Sequence, residues 1–188
     1  MNKVTAFIDS SSGLFNHPIV GEKSQKEFEI KLIEEYSQNM SNIIERYKLV
    51  KPFLTLNLGE YLTLLNEAKR SYTLGLYYST VSMVGITAER YTIEISENVD
   101  NQIVRALRKG GKNQFDRLRI LKTFNIIDKE IFENLDCIRD IRNRYTHPSS
   151  ISNPEKDSIE VLNKMIEVVN IEFNKKYIIK NGKITLKK

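Results

Sequence analysis

The sequence predicts an all-α fold: a helical bundle of about five helices closed by a small C-terminal β-hairpin. Three observations point there. Apolar residues recur at helical spacing through most of the chain. Ser, Asn and Asp residues stand where helices would be capped. The strongest strand signal is Asn181-Gly182 between two β-favouring runs near the end of the chain. The expected organisation is an N-terminal segment over 1–22, a helical domain over 23–175 and the hairpin over 176–188.

Residues 1–22 lack periodicity, apart from a short strand-like run over Val4–Ile8; His17, before Pro18, reads as a loop residue. Ser24 and Glu27 have capping-box spacing and open a first helix to about Leu49, with Phe28, Leu32, Tyr36, Ile43 and Tyr47 on its apolar face. Asn57 and Glu60 repeat that spacing before a helical region from Gly59 to about Glu97, with a break expected near Ser71 or Gly75. Leu74, Tyr78, Val81, Gly85, Ala88 and Ile95 mark its expected buried side, and the small Gly85 and Ala88 permit close packing. Residues 98–112 are polar, end in Lys109-Gly110-Gly111-Lys112, and read as a mobile loop. Asn113 caps a short helix to about Phe124, and Asp128 caps the next, to about Thr146. Asn153, with Pro154 at the first helical position, opens the last long helix to about Asn174. Two strands alone are marginal, so the hairpin is expected to pair with Val4–Ile8 or with a partner chain.

Composition narrows the class. Hydrophobic residues at 40% and charged residues at 28% are those of a soluble globular protein. No apolar run reaches the ~18 residues of a membrane span, and residues 1–9 do not resemble a secretory signal, so a cytoplasmic protein without membrane association is expected. The single cysteine, Cys137, is read as a reduced, packed thiol. One cysteine and two histidines do not make a zinc site within one chain, and no metal or cofactor is expected. The net charge of +5 is uneven: residues 101–150 hold eleven Lys/Arg against six Asp/Glu, and residues 171–188 hold six Lys against one Glu. Two basic regions on a neutral body suit a polyanion, although solubilising charge alone would look the same.

One of those regions contains the stretch that carries chemistry, Cys137-Ile138-Arg139-Asp140-Ile141-Arg142-Asn143-Arg144-Tyr145-Thr146-His147-Pro148. The apolar stripe Ile131, Leu135, Ile138, Tyr145 skips a position that Arg142 occupies. A charge on an otherwise apolar seam is where a functional site is expected. Asn143 and His147 are four apart, hence neighbours on one helix face, and Pro148 disfavours helix at His147. An arginine, an amide and an imidazole therefore gather at one helix C-terminus.

Arg142-Asn143-Arg144-Tyr145-Thr146-His147 resembles the Arg-x4-His signature of the HEPN superfamily (higher eukaryotes and prokaryotes nucleotide-binding), including the Asn that often follows the Arg. Asn66-Glu67-Ala68-Lys69 through Gly75-Leu76-Tyr77-Tyr78 to Ala88-Glu89 looks like the long second helix of one bacterial branch. The resemblance covers roughly residues 58–175. It implies a helical bundle whose homodimer interface forms a metal-independent endoribonuclease site, with Arg142 and His147 in it. It also implies a role in toxin–antitoxin or anti-phage defence, with an antitoxin or another defence-system protein as partner. Some HEPN toxins have a Tyr two residues after the His, the target of a modifying partner; here Ser149 stands there. Relatives of the mannitol operon repressor carry a similar Arg-Asn-x3-His match without established nuclease activity, so a non-catalytic regulator or interaction module is the alternative.

The residues suit phosphodiester cleavage without metal, which needs proton transfer and stabilisation of charge on the phosphorus oxygens. His147 can transfer protons near neutral pH, and a helix C-terminus biases it toward the acid role. Arg142 offers a fork of donors to phosphate, and Asn143 can orient the ring. Arg139, Arg144, Lys109 and Lys112 are expected to hold RNA, single-stranded or in a tRNA loop, with Asp140 available to pair with Arg144. Glu89 is the expected supporting acidic residue; the competing reading pairs it with Arg142 in a buried ion pair that fixes register. A DNA-binding repressor fits less well, because the helix pair around Asp128 lacks the tight Gly-containing turn of a helix-turn-helix.

Overall fold

The computed structural model describes residues 22–53, 59–111, 113–146, 153–180 and 183–187. Among them are seven helices and one hairpin: α1 (Glu22–Leu49), α2 (Tyr61–Thr73), α3 (Tyr77–Glu97), α4 (Asn101–Gly110), α5 (Gln114–Thr123), α6 (Lys129–Thr146), α7 (Pro154–Lys176), β1 (Tyr177–Lys180) and β2 (Lys183–Leu186). The all-α class with a terminal hairpin is as expected; the helices number seven rather than about five. The chain divides into two compact units, residues 1–45 and 46–188, with α1 running through the junction. No described helix is long and apolar enough to cross a membrane.

The second unit is built around α3, α6 and α7, which pack on one another, with α2 against α3 and α5 against α6. Ile131, Leu135 and Ile138 of α6 are fully buried, as are Val81, Val84 and Ala88 of α3 and Val161, Leu162, Met165 and Val169 of α7. Four of the buried polar residues in this core are satisfied locally, by carbonyls one turn back. Thr80, Thr87, Thr92 and Ser158 each donate a hydroxyl to a carbonyl three or four residues back, at 2.8–2.9 Å, so none of these four hydroxyls is left unpaired by burial. The segment after α1 is stitched to α7. Lys51 N–H donates to Asn163 Oδ1 (2.9 Å), and Asn163 and Asn170 donate to the carbonyls of Leu49 and Pro52.

The helix starts follow the sequence where a cap is local. Asn113, Asp128 and Asn153 each accept a backbone N–H three residues on, at 2.8–3.0 Å. The break between α2 and α3 falls at Gly75, whose φ of +82° is one that side chains other than glycine rarely adopt. The Arg46 guanidinium lies against it, donating to the Tyr77 hydroxyl (3.1 Å) and the Thr73 carbonyl (3.3 Å).

Several expectations need correction. Residues 101–110 are helical, not a loop: Asp100 accepts from Gln102 N–H (2.7 Å), and Ile103 turns inward. The helix break also resets the phase of the buried face, so Leu74 and Tyr78 are exposed, whereas Val81, Gly85 and Ala88 are buried as expected. α1 starts two residues before Ser24, and Glu60, the residue before α2, makes no side-chain cap. Asn57, the Val4–Ile8 run and His17 lie outside the described residues. The hairpin pairs Tyr177 with Leu186 through Lys180 with Lys183 and is two-stranded among the described residues.

Asp128 gives a direct test of the caps. Burial opposes its charge, but the Ile131 N–H and the Lys175 ammonium (3.1 Å) outweigh it and hold the carboxyl below its ordinary value. A depressed folded-state pKa contributes stability above the unfolded value of ~3.9, lost as pH falls through the folded one. Asp128→Ala should cost about 0.5–2 kcal/mol at neutral pH by urea unfolding. Asp128→Asn should lie between, and its gap from wild type should close in acid; a gap that persists below both pKa values would contradict the assignment.

Candidate functional site

The site is best built from α6 outward. Its buried stripe runs Ile131, Leu135, Ile138 and then Ile141, so the seam takes Ile141 where the spacing had suggested Arg142. Arg142 stands one position further round and is half-buried. Its aliphatic stem lies across Gly85 of α3: a Cβ at that glycine would come 2.7 Å from Arg142 Cγ. One turn on, Tyr145 meets the Tyr78 ring edge-on, with centroids 5.2 Å apart. With Gly85 opposite Arg142 and Tyr78 opposite Tyr145, α3 and α6 run antiparallel here.

Arg142 also lines an open cavity of about 420 Å³ between α6 and the start of α5. Arg139, Arg142 and Asn143 form one wall, and Asn113, Gln114 and Phe115 the other. Among the described residues, neither the Arg142 guanidinium nor the Asn143 amide has a hydrogen-bond or ion-pair partner. Arg139 differs: its Nε donates to Asp136 Oδ1 (2.8 Å), its Nη2 lies 3.7 Å from Asp140, and its guanidinium carbon stands 5.0 Å from the Phe115 ring centroid.

The remaining expected residues fall elsewhere. Arg144 pairs with Asp157 of α7 (3.4 Å), not with Asp140, and Tyr145 donates to the same carboxylate (3.1 Å). Burial and that carboxylate raise the Tyr145 pKa, so the hydroxyl stays protonated and α6 stays tied to the first turn of α7. Lys109 is exposed in the last turn of α4 and does not line the cavity. Glu89 lies one turn beyond Gly85, half-buried, and no Arg142–Glu89 ion pair forms among the described residues. His147 and Lys112 lie outside the described residues. Cys137 is half-buried with Sγ 3.7 Å from Glu160; burial, chiefly, pushes the thiol up and away from reactivity, as expected of a packed cysteine.

Three residues of the cavity, Asn113, Gln114 and Phe115, were not singled out as site residues. Asn113 was legible as a cap, and it is that role which places its helix start at the cavity. Phe115 and Gln114 reach Arg142 only through the packing of α5 on α6, which no local spacing encodes.

Fold and site together define a helical-bundle protein with an arginine- and amide-lined cavity beside the end of α6. The chain belongs to the DUF4145 family, described as a domain of unknown function, whose model matches residues 66–188. The matched stretch contains every described residue lining the cavity. No curated protein and no solved structure matches the chain significantly.

The Gly85–Arg142 contact is testable by a double-mutant cycle. In a helix interior, Gly→Ala gains about 0.5–1 kcal/mol, and overpacking costs about 1–3 kcal/mol. The clash involves Cγ rather than the free end of the side chain, so Gly85→Ala should destabilise wild type by about 1–2 kcal/mol. In an Arg142→Ala background the same change should stabilise by about 0.5–1 kcal/mol. Equal effects in both backgrounds would show that the stem does not rest on Gly85.

Proposed function

We propose that this protein is a metal-independent endoribonuclease of the HEPN type, working as a homodimer within a toxin–antitoxin or anti-phage defence system. The observation that carries this reading is the state of Arg142. It lines an open cavity beside Asn143, and its guanidinium meets no carboxylate among the described residues. A register-fixing arginine would be paired; an unpaired fork of donors at a cavity wall is matched to phosphate.

The roles divide accordingly. Arg142 stabilises charge building on the non-bridging phosphate oxygens. His147, which follows Thr146 directly in sequence, transfers the proton, and Asn143, four residues before it, orients the ring. The second proton-transfer group comes from the motif of the other protomer. The 2′-oxygen attacks phosphorus as it loses its proton, and the 5′-oxygen leaves as it gains one, giving a 2′,3′-cyclic phosphate and a 5′-hydroxyl. Arg139, positioned by Asp136, supports the neighbouring backbone.

Purified protein should cleave single-stranded RNA or tRNA in EDTA and leave 2′,3′-cyclic phosphate ends. His147→Ala should lower the rate by about 10²–10⁴-fold, and Arg142→Gln by about 10²–10³-fold. A folded, dimeric wild type that cleaves no RNA, with and without a defence-system partner protein, would favour the non-catalytic regulator.

A further inference from the structure

The cavity has a wall that phosphate chemistry alone does not use. Phe115 lines it at 36% exposure, a large ring left partly in solvent beside two arginines. The guanidinium carbons of Arg139 and Arg119 stand 5.0 and 5.8 Å from its centroid, within cation–π range. Arg139 is also held by Asp136, so ring and guanidinium form a fixed platform rather than a chance contact.

Next to the ring, the chain presents donors without acceptors. Gln114 Nε2 is buried and donates to nothing among the described residues. A buried, unpaired amide donor costs roughly 1–3 kcal/mol, and because Gln114 lines the cavity, a turn of its side chain toward a ligand acceptor would relieve that cost. Asn113 uses Oδ1 to cap α5, which leaves its Nδ2 as a further donor. A phosphate gains from donors and cations but nothing from an aromatic face. A nucleobase gains from both, since its π-face stacks on a ring or a guanidinium and its edge carries carbonyl oxygens and ring nitrogens. The volume of about 420 Å³ lies toward the small end of ligand sites, room for one nucleotide and not for a duplex.

We propose that the cavity seats a single unpaired nucleotide of RNA. Its base stacks on the Phe115–Arg139 platform and accepts from Gln114 Nε2, and the adjoining phosphate lies on Arg142. The choice of RNA rests on the endoribonuclease reading; the platform and the unpaired donor are independent of it. A base inside a duplex is stacked on its neighbours and has no free face, so the site selects single strands, loops or bulges.

The test is fluorescence anisotropy with a short labelled single-stranded RNA, in a His147→Ala background so that the RNA stays intact. Phe115→Ala should weaken binding about 5- to 150-fold, and Phe115→Tyr should restore most of it. Phe115 is surface-accessible, so each variant should fold, which circular dichroism melts check. The same RNA with abasic residues should bind the parent protein as weakly as normal RNA binds Phe115→Ala. Equal binding by Phe115→Ala and its parent, equal binding of abasic RNA, or no binding by folded protein would overturn the seat. Base-dependent, Phe115-dependent binding without cleavage by wild type would sustain the seat and remove the nuclease reading. Cleavage together with Phe115-independent binding would do the reverse.

Discussion

The arrangement depends on the crossing of Arg142 over Gly85. An arginine on a helix packed against its neighbour must put its aliphatic stem somewhere, and a side chain on α3 at this point would push it away. Glycine removes the obstacle, the stem lies flat in the α3–α6 interface, and Arg142 also lines the cavity. The Tyr78–Tyr145 ring contact and the Tyr145–Asp157 hydrogen bond fix the same end of α6 against α3 and α7. The charge is thus carried by a stem held by packing, although no ion pair holds it among the described residues.

The three arginines of the motif helix are differentiated by their surroundings. Arg144 faces α7 and meets Asp157 half in solvent, where such a pair is worth little but still occupies the charge. Arg139 is anchored by Asp136 and lies along Phe115, which makes it part of a surface rather than a mobile cation. Arg142 alone of the three combines a buried stem with a guanidinium unpaired among the described residues. Sequence places these residues at intervals of three and two; the distinction comes from what α3, α5 and α7 set opposite each of them.

Most of the secondary structure was legible because its signals are local. Asn113, Asp128 and Asn153 are caps that act within three residues, and Asn181-Gly182 lies in sequence between the two strands of the expected hairpin. The errors have equally physical causes. Helix α4 was hidden by its polar composition, though Asp100 as a cap and Ile103 with Leu107 at helical spacing were readable signals. Leu74 and Tyr78 were misplaced because one helical phase was carried across Gly75, where the chain breaks. Of the cavity, the wall formed by Arg139, Arg142 and Asn143 lay in the stretch that the sequence singles out, whereas the wall contributed by α5 did not. Phe115 and Gln114 become site residues only when α5 packs on α6, a tertiary event without a short-range signature.

The proposed endoribonuclease would hold RNA at the cavity formed by α5 and α6 rather than along the lysine-rich C-terminal segment. The most direct measurement is photo-crosslinking of a thiouridine-substituted single-stranded RNA to the full chain, with the attached residues mapped by mass spectrometry. Adducts are expected on the Asn113–Arg117 and Arg139–Arg144 peptides, competed by unlabelled single-stranded RNA. Adducts confined to the lysines of residues 175–188, with none on α5 or α6, would contradict this placement.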